Sequence, residues 1–241
     1  IDDHIRNRSE IKLGFPNKVA SKIHKKHGWC IDDGLKVMIF PIKPRLLNNK
    51  ISENKLFSQL ISFISKPFLK KALKYKPRWS YKDSKPQLEY YINIFYMNRG
   101  IYCTTNRDMN YFKDKYIDSP FFDEYLFYRC EKNARVNIYL ICRKIITAKG
   151  LSLRIVDIFG STWDFSALID LINLVIKDSI NEDLTHITVL ESDKKIQALM
   201  LICGFFLFKK ARVCFYVNPH TNIKKLQKTR WVFADSDNDY F

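Results

Sequence analysis

The sequence predicts an α/β fold with a mixed central sheet flanked by helices, built as two similar units in tandem of which the first is incomplete. Three observations predict it. β-rich runs alternate with amphipathic helical runs along the chain. One such arrangement occurs twice, at an offset of 176 residues. The length of 241 residues suits one or two domains.

The first copy of the repeated segment begins with a β-rich run at 11–15. A helix of about ten residues follows, and its apolar residues recur at helical spacing, which predicts a one-sided apolar face. Gly28 predicts a left-handed cap at the end of this helix, and a long β-rich run is predicted at 29–42. The apolar face consists of Val19, Ala20 and Ile23.

The second copy repeats this order without a gap, with a β-rich run at 187–190, a short helix, Gly204 and a long β-rich run at 205–217. Two β-rich runs at 136–147 and 151–158 precede it. The apolar residues of its short helix are Ile196, Leu199, Met200 and Cys203. A longer amphipathic helix before it carries Leu168, Leu171, Ile172, Val175 and Ile176 on one side.

The order β-β-α-β-α-β thus extends over about 100–219 and defines a nearly complete unit. By the same offset, the first unit needs roughly 90 residues before Ile1, so we expect the chain to begin inside a truncated unit. The predicted division is a first-unit tail at 1–45, a basic helical connector at 46–87 and a second unit at 88–241.

The formal net charge is +16, and positive charge is densest in 53–85, where nine Lys or Arg residues face only two acidic ones. This pattern is typical either of a polyanion-binding surface or of a chain that is generally rich in lysine. No helix-turn-helix or RNA-binding signature is evident. We therefore expect an anionic membrane surface rather than nucleic acid as the partner of this segment.

The six cysteines form no CxxC pair and have no histidine at zinc-ligand spacing, so neither a metal site nor a disulfide framework is expected. No apolar run reaches the ~18–20 residues that span a bilayer, and the first ten residues lack the apolar core of a signal peptide. These features predict a cytoplasmic protein, with attachment to the inner membrane face through 53–85 as an alternative.

The first copy resembles a motif of the GNAT superfamily of N-acetyltransferases, Asn-x-x-Ala-x-x-(aliphatic)-Tyr-x-Lys-x-Gly-Phe. The second copy matches less well, with Asp193 in place of the Asn. Together with "GFPN" and "FADSDND", the two copies are similar to tandem GNAT-like proteins of bacterial surface-polysaccharide biosynthesis. The residues that match in the first copy are Asn17, Ala20, Ile23, His24, Lys26, Gly28 and Trp29.

The resemblance implies that acetyl-CoA lies between two splayed parallel strands, with its pyrophosphate at the start of the following helix. A primary amine attacks the thioester directly, a carboxylate or water relay removes the amine proton, and a tyrosine of the short helix protonates the thiolate. The implied partners are a CoA thioester and a small amine or amino sugar.

Four residues are expected to bind the cofactor: Asn17, Gly160, Ser161 and Thr162. The last three stand in "FGSTWD", where the family has its phosphate loop. Asp164 in that stretch would repel a pyrophosphate, and the alternative is that it simply caps a helix in a non-catalytic unit. Capping is likewise the alternative role of Asn17.

Three residues are candidates for catalysis: His24, Glu191 and Asp157. His24 occupies the position of the family's tyrosine, although a histidine on a lysine-rich helix is also consistent with plain solvation. Glu191 follows a strand near the expected opening of the sheet. Asp157 stands in an apolar run and needs a partner or a function, and strict alternation places Arg154 on the other face.

Three aspartates are expected to contact substrate: Asp193, Asp235 and Asp237. Helix capping is the rival role of Asp193, and a solvated acidic tail is the rival for the other two. The predicted function is acetyl transfer from acetyl-CoA to an amine by the intact protein, with weak or absent catalysis by these 241 residues alone. The alternatives are a non-catalytic scaffold that has lost the cofactor site and a basic protein that binds nucleic acid or a membrane surface.

Overall fold

The computed structural model describes residues 11–14, 18–32, 35–44, 55–86, 109–133, 135–147, 150–160, 164–191 and 193–217. The helices are α1 (Lys18–Lys26), α2 (Lys55–Lys74), α3 (Met109–Phe112, continued by a π-helical turn at Lys113–Ile117), α4 (Phe165–Asn181) and α5 (Lys194–Ile202). The strands are β1 (Ile11–Gly14), β2 (Cys30–Asp32), β3 (Lys36–Pro41), β4 (Ser80–Asp83), β5 (Tyr125–Lys132), β6 (Arg135–Thr147), β7 (Gly150–Gly160), β8 (His186–Glu191), β9 (Phe206–Lys210) and β10 (Val213–Val217).

The strands form a seven-stranded sheet in the order β4-β5-β6-β7-β8-β3-β9 and a three-stranded sheet in the order β1-β10-β2. Neighbouring strands are antiparallel except β7 and β8, which are parallel and are connected by α4. A parallel pair needs such a crossover because a hairpin cannot join its ends. The predicted α/β architecture, a mixed sheet with helices, is confirmed.

Helix α4 is the centre of the larger core. Its predicted apolar face is buried throughout, with every member at most 1% exposed. Each such side chain contributes roughly 1.5–3 kcal/mol by leaving water. Helix α2 packs against α4 and adds Ala72, Phe68 and Leu69 to the same core. The basic segment therefore contributes a helix that is part of the core.

The opposite face of the seven-stranded sheet carries an aromatic cluster. Alternate residues of β5 belong to the two cores, Tyr128 to that of α4 and Phe127 to this cluster. Because side chains alternate along a strand, the two cores lie on opposite faces of the sheet. Phe112 and Tyr116 of α3 cover this second face.

Helices α1 and α5 end in the same way. Gly28 and Gly204 have φ of +80° and +92°. The amide after each glycine donates to the carbonyl five residues earlier, Trp29 to His24 at 3.0 Å and Phe205 to Met200 at 2.9 Å. These are Schellman motifs, in which glycine adopts the left-handed conformation at little cost. The predicted glycine caps are confirmed in both copies.

The predicted apolar faces of these two helices differ in the structure. Ile196, Leu199 and Met200 of α5 are at most 3% exposed, as expected. Val19 and Ile23 of α1 are 70% and 55% exposed. The apolar face of α1 is thus largely exposed, because periodicity reports which residues share a face and not whether another element covers it.

The prediction of single long strands at 29–42 and 205–217 is wrong. The first run divides into β2 and β3 and the second into β9 and β10, and in each case the two pieces belong to different sheets. The connection between β2 and β3 contacts the connection between β9 and β10, since the Ala211 amide donates to the Leu35 carbonyl at 2.9 Å. Leu35 and Ala211 are themselves separated by the repeat offset.

As a result, the last strand of each copy lies between two strands of the other copy. β3 pairs with β8 on one side and β9 on the other, and β10 pairs with β1 and β2. All four pairings are antiparallel. The strands are exchanged reciprocally between the two three-strand groups β8-β3-β9 and β1-β10-β2.

Candidate functional site

The two parallel strands of the large sheet separate part-way along their length. Their pairing runs from Leu153 opposite Ile187 to Ile155 opposite Val189. On the other edge of β7 the register to β6 shifts directly after Ile155, leaving Val156 as an extra residue. A bulge of this kind bends the strand that carries it, so β7 leaves β8 where the parallel pairing stops.

The same bulge determines where Asp157 points. Asp157 lies opposite Ile141, a member of the aromatic cluster, so its carboxylate faces that cluster and is 1% exposed. The Tyr116 hydroxyl donates to Oδ2 at 3.0 Å and the Ile158 amide donates to Oδ1 at 3.1 Å. A buried carboxylate needs such donors. Asp157 therefore has the partner that the sequence required of it.

Arg154 lies on the same face as Asp157, contrary to the alternation argument. Arg154 is opposite Arg143 and Asp157 is opposite Ile141. Arg143 and Ile141 are two apart on β6 and point the same way. The expectation was wrong because one extra residue reverses the alternation beyond it.

Glu191 and Asp193 lie at the end of β8 and are 2% and 3% exposed. The Asp193 amide donates to Glu191 Oε1 at 2.8 Å, and Asp193 Oδ1 accepts from the Lys195 amide at 2.8 Å. Asp193 is the N-cap of α5, the alternative that the sequence favoured. The side-chain amide of Gln197 donates to the Glu191 carbonyl at 2.8 Å. These carboxylates hold the strand-to-helix turn together.

Gly160 ends β7 with a φ of +115°. A Cβ at this position would lie 2.1 Å from the backbone oxygen of Asn137 on β6. Backbone conformation and close strand pairing therefore both require glycine here. This structural demand exists whether or not the following turn binds a phosphate.

Asp164 is the N-cap of α4, and its Oδ1 accepts from the Ala167 amide at 3.1 Å. Lys132 Nζ lies 3.0 Å from Oδ2. Partial burial acts to raise the pKa of Asp164, but hydrogen bonds from Ser166, Lys132 and the Ala167 amide outweigh it, and the net shift is downward. The carboxylate that would repel a pyrophosphate is therefore already paired with a cation.

An indole and a second cation lie beside this pair. The Trp79 ring has the Arg78 guanidinium 4.7 Å from its centroid and Lys132 Nζ at 4.9 Å. Cations are attracted to the face of an indole ring. We call Arg78, Trp79, Lys132 and Asp164 the α4 N-terminal patch.

Asp170 of α4 fixes the position of this patch and is 1% exposed. Its Oδ1 accepts from the Arg78 amide at 3.0 Å and from the Tyr75 hydroxyl, and its Oδ2 accepts from the Trp79 amide at 2.9 Å. Burial acts to raise the pKa of Asp170, but these hydrogen bonds lower it overall. The sequence analysis missed this residue, although a carboxylate within the apolar stretch "SALIDLINL" was the available signal.

No protein-family model and no curated protein matches this sequence. Solved structures do match the fold. A GCN5-related N-acetyltransferase from Anabaena variabilis ATCC 29413 superposes with a TM-score of 0.57 and 12% identity, covering 95% of this chain and 50% of its own. Saccharomyces cerevisiae N-myristoyltransferase with bound myristoyl-CoA gives 0.53 and 10% identity, covering 82% and 56%. A probable N-acyltransferase from Enterococcus faecalis V583 gives 0.53 and 11%, covering 90% and 47%.

The fold is that of the GNAT-type acyltransferases. The predicted α/β fold with a mixed sheet flanked by helices is thus confirmed. The chain spans about half the length of these three structures. One of them is described with a bound CoA thioester, the substrate class that the sequence resemblance implied.

Within this GNAT-type fold, His24 is remote in sequence and topology from the other predicted catalytic residues. Its ring packs on Trp29 with centroids 4.8 Å apart, and Trp29 contacts Tyr216 of β10 at 5.8 Å. His24 thus accompanies the three-stranded sheet, whereas Asp157 and Glu191 belong to the seven-stranded one. The predicted residues Asn17, Ser161, Thr162, Asp235 and Asp237 lie outside the described residues.

The described part of the chain contains neither a metal-binding cluster nor a membrane-spanning helix. No group of three or more His, Cys, Asp or Glu side chains there is arranged to hold a metal ion. No helix there is long and apolar enough to cross a bilayer.

Proposed function

We propose that this chain is part of an acyltransferase that moves an acyl group from a CoA thioester to a primary amine. The observation that carries the proposal is the separation of β7 from β8 at the Val156 bulge. Beyond the bulge, β7 leads through Gly160 to the start of α4. An opening between parallel strands and a helix N-terminus therefore lie at the same end of the sheet, an arrangement suited to a thioester with a phosphate-bearing tail.

In this proposal the α4 N-terminal patch holds the phosphates of CoA. The first turn of a helix has unpaired amides and carries a partial positive charge. Among the described residues, Arg78 adds one uncompensated positive charge, and Lys132 offsets the charge of Asp164. The indole of Trp79, fixed through Asp170, offers an aromatic face for the adenine.

For the chemical step we propose direct attack of the amine on the thioester carbonyl, with a carboxylate at the strand opening as acceptor of the amine proton. The C–S bond then breaks as the amide forms, and CoA leaves as a thiolate that takes up a proton. Glu191 and Asp157 are the two candidates that the structure describes. Glu191 is at the end of β8 and Asp157 is at the bulge of β7, so one lies on each of the diverging strands. We propose acetyl-CoA as the acyl donor and an amino sugar of a surface polysaccharide as the acceptor, both on the strength of the sequence resemblance.

We also propose a cytoplasmic location. The five described cysteines, Cys30, Cys130, Cys142, Cys203 and Cys214, are free thiols. Free thiols persist in a reducing compartment.

The test is a calorimetric titration of the chain with acetyl-CoA, using a matched pair of lysine variants. Lys132 and Lys144 each lie on a strand and pair with a carboxylate of α4, Asp164 at its start and Glu182 at its end. Their side chains are 29% and 31% exposed. We expect Lys132→Met to weaken acetyl-CoA binding about tenfold, because a hydrogen bond to a charged group contributes roughly 1.5–3 kcal/mol.

Lys144→Met removes the same charge from the other end of the helix and should change the dissociation constant less than about twofold. Equal losses in the two variants would show that only net charge matters. An absence of binding by the unaltered chain would contradict the cofactor site itself.

A non-catalytic scaffold is the second candidate, and one specific observation favours it. The side chains of Asp157, Glu191, Asp193 and Asp164 all have hydrogen bonds that serve the fold. In this case acetyl-CoA does not bind and both lysine variants behave like the parent. Gly160→Ala is unsuitable for this test, because the new Cβ would collide with Asn137 and disturb the sheet in either case.

A further inference from the structure

Three neighbouring elements, separate in sequence from the residues of the α4 N-terminal patch, carry lysines and no acidic residue. They are α2, α5 and β9, which together contain nine lysines and neither Asp nor Glu. Lys66, Lys70, Lys71 and Lys74 of α2 are all exposed. None of these four makes an ion pair with another residue in the described part of the chain. Within the described residues their charge is therefore not neutralised and is available to an anionic partner.

Contacts bring the three elements together. The ring of Phe68 on α2 packs over the turn after α5, so closely that a Cβ on Gly204 would lie 2.6 Å from it. Phe63, Lys66, Lys70 and Lys74 recur at spacings of three and four residues, so they form the outward face of α2, opposite Phe68. β9 follows the same turn and is one of the two edge strands of the seven-stranded sheet. We call this region the α2–α5–β9 surface.

Large apolar side chains are exposed among these lysines. Phe63 of α2 is 75% exposed, and Leu201 and Ile202 at the end of α5 are 53% and 67% exposed. Leu207 and Phe208 of β9 are 50% and 43% exposed. Single exposed apolar residues are ordinary, whereas a group of them on one basic region indicates an interaction surface.

We infer that the α2–α5–β9 surface docks on an anionic lipid bilayer. Lysines near a negatively charged membrane each strengthen binding about fivefold, and apolar side chains gain further by entering the headgroup region. Charge complementarity favours any polyanion, but the exposed aliphatic groups Leu201, Ile202 and Leu207 favour lipid. A duplex or single strand of nucleic acid offers them no apolar phase, since it is bound through phosphates and stacked bases.

The experiment measures binding of the full chain to vesicles of phosphatidylcholine alone and with about one third phosphatidylglycerol. We expect binding only to the anionic vesicles, weakening as salt rises from about 0.1 to 0.5 M because screening shortens the reach of the lysines. The triple variant Lys66→Gln, Lys70→Gln, Lys74→Gln should bind roughly 100-fold more weakly at about fivefold per lysine. Phe63→Ser should weaken binding about tenfold at unchanged net charge.

The control variants remove lysines and a phenylalanine that lie outside the α2–α5–β9 surface. Lys22→Gln, Lys25→Gln, Lys26→Gln takes three exposed lysines from α1, and Phe121→Ser takes a phenylalanine that is 46% exposed. Both should bind vesicles nearly as the parent does, and circular dichroism checks that every variant is folded. Equal losses from α1 and α2, no effect of Phe63→Ser, or tighter binding to a DNA duplex than to the vesicles would each overturn the inference. The acetyl-CoA titration does not depend on this result.

Discussion

The direction of the Asp157 side chain depends on one extra residue in β7. Without the bulge at Val156, the carboxylate would point to the face that packs on α4, and Tyr116 would have no acceptor there. With it, a charged group sits inside an aromatic cluster and is held by a phenol from α3. A single insertion thus bends the strand away from β8 and fixes a carboxylate beside the opening.

Tyr116→Phe tests this pair at the residue scale. We expect a loss of about 1.5–3 kcal/mol in the free energy of unfolding, because the buried carboxylate loses a donor while water cannot replace it. Urea denaturation measures the loss. Tyr81→Phe, at a tyrosine that is 49% exposed, is the control and should change stability by less than about 0.5 kcal/mol. Similar values for the two variants would mean that the hydrogen bond contributes nothing specific.

Individual residues were predictable from the sequence only where a local rule applied. Asp157 was conspicuous because a carboxylate in an apolar run needs a donor. The donor itself could not be identified from the sequence, because Tyr116 precedes Asp157 by 41 residues. Asp170 shows the same limit, because its partners Tyr75, Arg78 and Trp79 come from a segment more than ninety residues earlier.

At the scale of elements, the two Schellman motifs differ in their surroundings. Around Gly28 no atom lies within 4 Å of the position that a Cβ would occupy, whereas at Gly204 the ring of Phe68 fills it. The two caps have the same conformation, but only the cap at Gly204 also packs against α2. The turn after α5 thus serves both as a helix end and as a helix–helix contact.

Alanine at each glycine separates these two functions. We expect Gly28→Ala to cost about 1–2 kcal/mol, the strain of a left-handed conformation. Gly204→Ala should cost about 1–3 kcal/mol more, because Phe68 must move out of a packed core. Thermal or urea unfolding measures both. Equal losses would mean that Phe68 can move away without cost and that the contact between α2 and Gly204 does not contribute to stability.

The order of elements was largely predictable and their pairing was not. The predicted strands at 136–147 and 151–158 correspond to β6 and β7, and the helices α1, α4 and α5 lie where periodicity placed them. β4 and β5 were not predicted, and the runs 29–42 and 205–217 were taken as continuous. Periodicity reports a local conformation, but a strand's partner depends on residues distant in sequence.

At the scale of the whole molecule, the exchanged strands join its two ends. β10 is the middle strand of the three-stranded sheet, so the backbone groups of both β1 and β2 depend on it. β3 has the same relation to β8 and β9. Neither group of three strands is therefore complete without a segment of the other copy.

Cys214→Pro tests this dependence. Cys214 lies opposite Gly14 of β1 and Ile31 of β2, and proline in a middle strand removes a ladder hydrogen bond. We expect amide hydrogen exchange at least about tenfold faster in β1 and β2, with little change in β8. Phe208→Pro, at the irregular point of edge strand β9, is the control and should leave β1 and β2 protected. Unchanged exchange in β1 and β2 would show that they hold together without β10.

The exchanged strands also set an order of events during synthesis. Ile11 pairs with Val217, which the ribosome adds more than 200 residues later. At 5–20 residues per second this delay is roughly 10–40 s. Throughout it, β1 and β2 have no middle strand, and unpaired strand edges are templates for aggregation. We expect the yield of folded protein to depend on the speed of translation and on chaperones that shield the nascent chain.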